Sequence, residues 1–165
     1  MPLHRIAASR IIDASPERLY ELLADYREGH PRILPRPQFG SLTIVEGGRG
    51  QGTVFDVEMR LFGRRRSRRG IVTEPVPGRQ LVECYAGEPT VTSFTIEPMF
   101  SGEHARVTIS TDTDVHRGLR GALERRITTR LLRPLYLREL AQLAAVATNG
   151  AAADQEQQPR YSGRR

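Results

Sequence analysis

The sequence contains no lysine, no tryptophan and only one cysteine, Cys84, among its 165 residues. A single cysteine excludes an internal disulfide and a zinc site built from cysteines. No apolar run approaches the roughly 18 residues that span a membrane, and the N-terminus lacks the apolar stretch of a secretory signal. Together with a length typical of one domain, these absences predict a single cytoplasmic domain. We expect Cys84 to be a buried core thiol, because it lies in a predicted strand.

The charge is strongly positive. All 25 basic residues are arginine, the net charge is +6 and the sequence pI is near 10.4. Such a charge can indicate a nucleic acid or an anionic membrane as partner. The complete replacement of lysine by arginine is typical of coding bias, however, and we interpret most of the charge as a solvated basic surface. The densest run stands at a predicted hairpin tip and comprises Arg64, Arg65, Arg66, Arg68 and Arg69. It lacks the interleaved aromatic residues on which bases stack, and it can serve to block edge-to-edge aggregation.

The sequence shows no pattern that holds a metal or a nucleotide. The four histidines are scattered without the short spacing of metal ligands, and we interpret His116, near Asp112 and Asp114, as part of a charge cluster at a helix entry. The glycine-rich segment 47–52 lacks the Lys-Ser/Thr ending of a phosphate loop and leads into a strand. We therefore expect no metal site and no cofactor.

Periodicity predicts a mixed α and β chain. Alternation predicts a first strand at 3–13, and Ser15 with Pro16 predicts a helix start and a helix over 16–25. Prolines restrict 26–37 to a short helical turn at 30–34. Period-two alternation between 39 and 115 then predicts six more strands in an antiparallel meander.

A long amphipathic helix is predicted at 117–148. Its apolar residues repeat every four positions, at Leu119, Leu123, Ile127, Leu131 and Leu135. Pro134 should kink it. The domain is thus predicted to cover 1–148, followed by a disordered tail at 149–165 that has no apolar periodicity.

This order of elements, with certain local motifs, resembles the START-like superfamily, also called SRPBCC. The motifs are Ile12-Asp13-Ala14-Ser15-Pro16-Glu17 with Leu19-Tyr20, Asp25-Tyr26 with His30-Pro31, and Gly50-Gln51-Gly52-Thr53. The superfamily includes pollen allergens, lipid-transfer domains, coenzyme-Q-binding proteins and polyketide cyclase/dehydrase-like proteins, and the last branch is the one we favour. The resemblance implies an α+β helix-grip fold, in which a curved antiparallel sheet of about seven strands wraps around a long C-terminal helix and leaves a cavity.

The residues that face this helix would line the cavity and bind a ligand. From the sheet the candidates are Phe55, Val57, Met59, Leu61, Leu81, Tyr85, Thr92, Phe94, Ile96, Val107 and Ile109, and from the helix they are Leu123, Ile127 and Leu131. Nearly all are apolar, so an ordinary core explains each of them equally well.

Four polar residues are candidates for acid–base catalysis, namely His30, Tyr26, Glu83 and Tyr85. His30, Glu83 and Tyr85, together with Thr92, are also the candidates for orienting a ligand. Strand alternation places Glu83 on the face that carries Leu81 and Tyr85. If that face points inward, Glu83 is a buried carboxylate that needs a partner or a raised pKa. If it points outward, Val82 and Cys84 face the core instead. We favour the outward orientation.

Three functions fit these observations. The first is binding or carrying a small hydrophobic molecule such as a lipid, isoprenoid, quinone or polyketide. The second, suggested by the polyketide-cyclase branch, is a cofactor-independent aromatase/cyclase or dehydratase. The third is an interaction protein that contacts RNA or the ribosome through the arginine run at 64–69. We favour the first.

Overall fold

The computed structural model describes residues 1–61 and 63–156. Three helices and seven strands make up this part of the chain, besides a short 3-10 turn at Phe100–Gly102. In chain order the elements are β1 (Leu3–Ile12), α1 (Pro16–Ala24), α2 (Gly29–Ile33), β2 (Phe39–Glu46), β3 (Val54–Leu61), β4 (Arg64–Val76), β5 (Gln80–Tyr85), β6 (Val91–Met99), β7 (His104–Asp114) and α3 (Gly118–Glu156).

The strands form one seven-stranded sheet in the order β1-β7-β6-β5-β4-β3-β2, and every neighbouring pair is antiparallel. Register shifts interrupt the β2–β3 and β4–β5 ladders. Irregularities of this kind bend a strand and increase its twist, so they help the sheet to curve around α3. The predicted α+β helix-grip fold is confirmed.

The helix α1 begins at Pro16, where the sequence predicts, and α2 begins at Gly29, one residue earlier than predicted. The Ser15 side chain accepts a hydrogen bond from the backbone N–H of Arg18 at 3.2 Å, and Pro16 opens α1. The helix buries Leu19, Leu22 and Leu23 against the sheet. A helix of this length is only marginally stable by itself. Burial of the three leucines, each contributing about 1.5–3 kcal/mol, stabilises it against the sheet.

The apolar row of α3 does not face the sheet along its whole length, which corrects the sequence prediction. Leu123, Ile127 and Leu131 are exposed, whereas Leu135, Leu140, Leu143 and Ala147 are buried. A four-residue step turns a helix by about 400°, so a row with this spacing winds around the helix by about 40° per step. The row therefore starts on the solvent side and reaches the sheet only near Pro134.

The last helix also ends later than predicted. It continues to Glu156, whereas the sequence predicted an end at residue 148. The remainder of the predicted tail, 157–165, lies outside the described residues. Within the described residues, no helix is long and apolar enough to cross a membrane.

Cys84 is exposed, so its prediction as a buried core thiol is wrong. It lies on β5 between Glu83 and Tyr85, and that strand directs Leu81 and Glu83 toward the core. Alternation along the strand then leaves Cys84 on the outer surface of the sheet.

Several strand ends and connections lie at one end of the sheet. The register brings Leu3, Val91 and Asp114 together there, along with the end of β5 at Tyr85. The β3–β4 hairpin, closed between Leu61 and Arg64, projects past Tyr85 at the same end, because Tyr85 pairs with Gly70. The chain also enters α3 here. We call this the open end.

Candidate functional site

A cavity of about 220 Å³ lies between the concave face of the sheet and α3. Its apolar wall consists of Leu34, Phe39, Leu42, Phe55, Val57, Met59, Phe94, Leu132 and Leu135. Its polar wall consists of His30, Arg68, Glu83, Tyr85, Glu88, Thr90, Thr92, Thr111, Thr113, Thr128, Tyr136 and Glu139. The cavity is therefore amphipathic.

Glu83 is the centre of the polar wall. It is only 4% exposed, so the predicted outward orientation is wrong and the face of Leu81, Glu83 and Tyr85 points inward. The Tyr26 hydroxyl donates to its Oε1 at 2.8 Å, and the Tyr85 hydroxyl donates to its Oε2 at 2.6 Å. A hydrogen bond to a charged group contributes about 1.5–3 kcal/mol, and these two partners offset the cost of burying the carboxylate.

The two tyrosines are held as proton donors. Burial raises the pKa of both phenols well above the ordinary value, and the negative charge of Glu83 raises it further. An ionised phenol beside this carboxylate would place two like charges in a poorly hydrated space. Both hydroxyls therefore keep their protons and direct them at Glu83.

His30 joins the same cluster from α2. Its Nδ1 lies 2.8 Å from the backbone carbonyl oxygen of Leu23, which can only accept, so Nδ1 carries a proton. Its Nε2 lies 3.7 Å from Oε1 of Glu83. The imidazole also stacks on the Tyr26 ring, with 4.5 Å between ring centroids. These contacts fix the ring, which lines the cavity with its Nε2 on the side of Glu83.

The glycine-rich segment 47–52 positions Tyr26. The backbone N–H of Tyr26 donates to the carbonyl of Gly48 at 3.0 Å, and the N–H of Gly50 donates to the carbonyl of Ala24 at 2.9 Å. Gly48 and Gly50 both have positive φ, which favours glycine. The segment is thus the predicted hairpin connection between β2 and β3, and it also clamps the chain just after α1.

Glu139 is a second buried carboxyl, and the sequence analysis missed it. It is 3% exposed, lines the cavity from α3, and its Oε1 has no hydrogen-bond partner among the described residues. Burial raises the pKa of this carboxyl well above its ordinary value, and the nearby charge of Glu83 adds to the rise. The spacing of residues along the helix could have identified Glu139. Thr128, Leu132, Leu135 and Glu139 follow one another at intervals of three or four residues and so share one helix face.

A chain of hydroxyls forms another part of the polar wall. The Oγ1 atoms of Thr92 and Thr111 are 2.9 Å apart, and Thr111 also bonds to the Tyr136 hydroxyl. Burial raises the pKa of Tyr136 to about 12. Hydroxyls can donate or accept, so this chain can satisfy either kind of group on a bound molecule.

Arg68 stands at the open end of the cavity. Its guanidinium lies 4.0 Å from the centroid of the Tyr85 ring, and its Nε donates to Oε1 of Glu88 at 2.8 Å. The arginine thus covers the phenol whose hydroxyl holds Glu83. From the arginine run at 64–69, Arg69 also has an acidic partner, since its guanidinium pairs with Asp56 at 2.8 Å.

The sequence matches the model of a known protein family. The family model described as polyketide cyclase / dehydrase and lipid transport matches residues 4–148. The chain belongs to this family. The resemblance to the START-like superfamily is thereby confirmed. In this member of the polyketide cyclase/dehydrase and lipid transport family, the cavity lies between the sheet and the C-terminal helix, as the helix-grip fold predicts.

Solved structures show the same fold. The KanY protein is 24% identical, with a TM-score of 0.76, and the match covers 90% of this chain and 99% of that one. A START superfamily protein from Mycobacterium smegmatis is 15% identical, with a TM-score of 0.69, over 88% and 98% of the two chains. The Zhui aromatase/cyclase from a Streptomyces species is 14% identical, with a TM-score of 0.70, over 89% and 94%. No curated protein sequence matches the chain significantly.

The predicted site residues of this family member separate into groups. The structure places Phe55, Val57, Met59, Tyr85, Thr92 and Phe94 in the cavity wall. It places Leu81, Ile96, Val107 and Ile109 in the close-packed core, and Leu123, Ile127 and Leu131 on the solvent side of α3. The side chain of Leu61 lies outside the described part.

The four polar candidates come together, although no local pattern in the sequence pairs them. His30, Glu83 and Tyr85 line the cavity, and Tyr26 lies directly behind Glu83. His116 instead pairs with Glu124, 2.8 Å away, and Asp112 pairs with Arg5. Among the described residues, no group of three or more histidine, cysteine or acidic side chains could hold a metal ion.

Proposed function

We propose that this protein binds a small hydrophobic molecule with a hydroxyl or carbonyl group at one end, in the cavity between the sheet and α3. Lipids, isoprenoids, quinones and polyketides include molecules of this kind. The observation that carries the proposal is the division of the cavity into an apolar wall and a buried polar wall.

The apolar wall supplies the affinity. Each CH₂ group that leaves water for such a wall contributes about 0.8 kcal/mol. Phe55 and Met59 belong to this wall on the side of the sheet and Leu132 on the side of the helix, so an inserted molecule would be enclosed from opposite sides.

The polar wall supplies the orientation. The free Oε1 of Glu139 is a buried polar atom without a partner among the described residues, and such an atom costs about 1–3 kcal/mol. A ligand hydroxyl can donate to it, and a ligand carbonyl can accept from its protonated form. A purely aliphatic molecule would leave it unsatisfied.

Two probes that differ by one hydroxyl test this proposal, namely 2-naphthol and naphthalene. We expect the protein to prefer 2-naphthol by about tenfold, which corresponds to one hydrogen bond of ordinary strength. Glu139→Leu should remove the preference while binding of naphthalene is kept. Equal binding of both probes to the wild type would contradict the proposed polar end.

Filling the cavity gives a second test. Leu132→Trp places a large ring in the cavity wall, whereas Leu137→Trp changes a side chain on the same helix that is 42% exposed and lies outside that wall. We expect the first variant to lose probe binding and any copurifying hydrophobic molecule in native mass spectrometry. The second should behave as the wild type, and equal binding by both would refute the cavity as the site.

A second candidate function is acid–base catalysis of the aromatase/cyclase or dehydratase type. The observation that favours it is the cluster of His30, Glu83 and Glu139 on one cavity wall. His30 Nε2 could remove a proton next to a ligand carbonyl, and the protonated carboxyl of Glu139 could give a proton to the departing hydroxyl, so that water leaves.

A linear β-polyketone separates the two functions. A catalyst would convert it to an aromatic product with loss of water, and His30→Ala would lower that rate by about 10²–10⁴ while binding of 2-naphthol persists. If the wild type binds 2-naphthol but leaves the polyketone unchanged, the protein is a carrier.

A further inference from the structure

The first half of α3 exposes a row of apolar side chains. Four of them face solvent, with exposures of 92% for Leu119, 59% for Leu123 and 41% each for Ile127 and Leu131. Two polar side chains of the same segment face the protein instead, since Thr128 lines the cavity and Thr129 bonds to His4 at 3.0 Å. A helix of a soluble domain normally buries its apolar stripe, so this face needs an explanation that the cavity does not provide.

The four exposed side chains form a continuous outer surface. Leu119 and Leu131 are twelve residue steps apart, or about 18 Å along the helix, and the spacing spreads the four side chains over an arc of about 120°. We call these four residues the outer face of α3. The outside of a single helix is a convex surface, so the outer face does not resemble a socket for a protein side chain.

The outer face is surrounded by positive charge. Six arginines lie between residues 117 and 133, at positions 117, 120, 125, 126, 130 and 133, and Glu124 is the sole acidic residue there. Glu124 is already occupied by His116 and Arg120. The exposed Arg64, Arg65 and Arg66 of the β3–β4 hairpin lie at the same open end, with no acidic partner among the described side chains.

We propose that the outer face of α3 docks onto an anionic lipid surface. Leu119, Leu123, Ile127 and Leu131 would enter the boundary between headgroups and acyl chains, and the surrounding arginines would pair with lipid phosphates. Helices that lie in a membrane interface combine an apolar side with basic flanks in this way.

Other partners account for only part of the surface. An RNA would use the arginines and leave the four apolar side chains in water. A second copy would cover the apolar side chains but bring two sets of like charges together. A lipid surface engages both features and requires no complementary groove. The proposal concerns docking alone and does not depend on what the cavity holds.

Vesicle binding tests this proposal, because the chain has no tryptophan of its own. Ile127→Trp places a single fluorophore on the outer face, and Ile71→Trp places one at a residue of β4 with a similar exposure of 44%. With vesicles of equimolar phosphatidylcholine and phosphatidylglycerol, the emission of the first variant should shift to the blue and that of the second should not. With phosphatidylcholine alone, neither should shift.

Paired substitutions separate the two components of docking. Leu123→Ser with Ile127→Ser should weaken binding to the anionic vesicles by at least about tenfold, and Arg126→Ser with Arg130→Ser should weaken it by about 30-fold. The matched control is Val45→Ser with Ile71→Ser, whose residues are 51% and 44% exposed on the sheet. This control should bind as the wild type does, and thermal unfolding of all variants checks that each is folded.

Three results would overturn the proposal. The first is no binding of the wild type to the anionic vesicles. The second is an equal loss of binding in the control pair. The third is a stable dimer of the wild type in solution that the Leu123 and Ile127 substitutions dissociate, because the outer face would then be a contact between copies of this chain.

Discussion

Replacing Glu139 by glutamine should make the protein more stable, and by an amount that grows with pH. Glu139 is 3% exposed and its Oε1 has no partner among the described residues. Burial, with the charge of Glu83 nearby, raises the pKa of the Glu139 carboxyl well above 4.5, its ordinary value. Glutamine has nearly the same shape but cannot ionise.

The direction of this pH dependence follows from the number of protons that the folded and unfolded states bind. Above the ordinary pKa the unfolded chain releases the proton of Glu139, while the folded protein keeps it until the pH reaches the raised pKa. The folded state then binds more protons than the unfolded state, so the stability of the wild type falls as the pH rises through this window. The fall is at most about tenfold in the folding equilibrium constant per pH unit. Below the ordinary pKa this effect disappears.

Other ionisable groups lie near this site, so a difference measurement is needed. Glu83, His30 and Tyr85 line the same cavity, Tyr26 bonds to Glu83, and all four are present in both proteins. Subtracting the stability of the wild type from that of Glu139→Gln removes the part of their contribution to stability that is common to both. The remaining difference reports the carboxyl of Glu139.

Urea unfolding followed by circular dichroism measures this difference at several pH values between about 5 and 8. We expect the advantage of Glu139→Gln to increase steadily with pH. Glu103→Gln, at an exposed residue in the β6–β7 connection, should show no such trend. A difference that is constant with pH, or one that favours the wild type at high pH, would refute the buried and protonated state of Glu139.

Three further substitutions test the packing around the site. Tyr26→Phe removes the donor that lies 2.8 Å from Glu83 and should cost about 1–3 kcal/mol of stability in urea unfolding, whereas Tyr20→Phe, outside the cluster, should cost less. Gly70→Ala would bring a Cβ to 2.7 Å from Cε1 of Phe55 and should cost about 1–3 kcal/mol of stability. Adding Phe55→Leu to this variant should relieve part of that cost, whereas additive losses from the two substitutions would contradict the contact. Ser15→Ala should lower the melting temperature by removing about 1 kcal/mol of helix capping, and an unchanged melting temperature would show that the cap is dispensable.

The strands, their antiparallel meander and the start of α1 could be predicted because they depend on local rules. Alternation gives a strand, and Ser15-Pro16 gives a helix start. The antiparallel meander then follows from short connections. None of these steps requires knowledge of which residues meet across the fold, so the sequence alone carries them.

The polar wall could not be predicted in the same way. Tyr26 and Glu83 are 57 positions apart, and their contact depends on the curvature of the sheet and on the clamp at Gly48. For Glu83, strand alternation allowed either an inward or an outward orientation. Because carboxylates are rarely buried, the outward orientation was favoured, and it is wrong. Two tyrosine hydroxyls and an imidazole reverse that preference, and the three groups come from different elements.

The helix α3 shows why a correct pattern can still be assigned to the wrong surface. The four-residue repeat from Leu119 to Leu135 is regular, yet its slow winding carries it from solvent to the core within one helix. Pro134 lies where the change occurs, and its missing N–H frees one carbonyl in the preceding turn, so the two halves need not share one packing face. After Pro134, Leu140 and Leu143 hold the helix to the sheet, and before it the helix holds Thr128 and Leu132 over the cavity. The first half can therefore expose its leucines without loosening the fold, because the second half provides the anchorage.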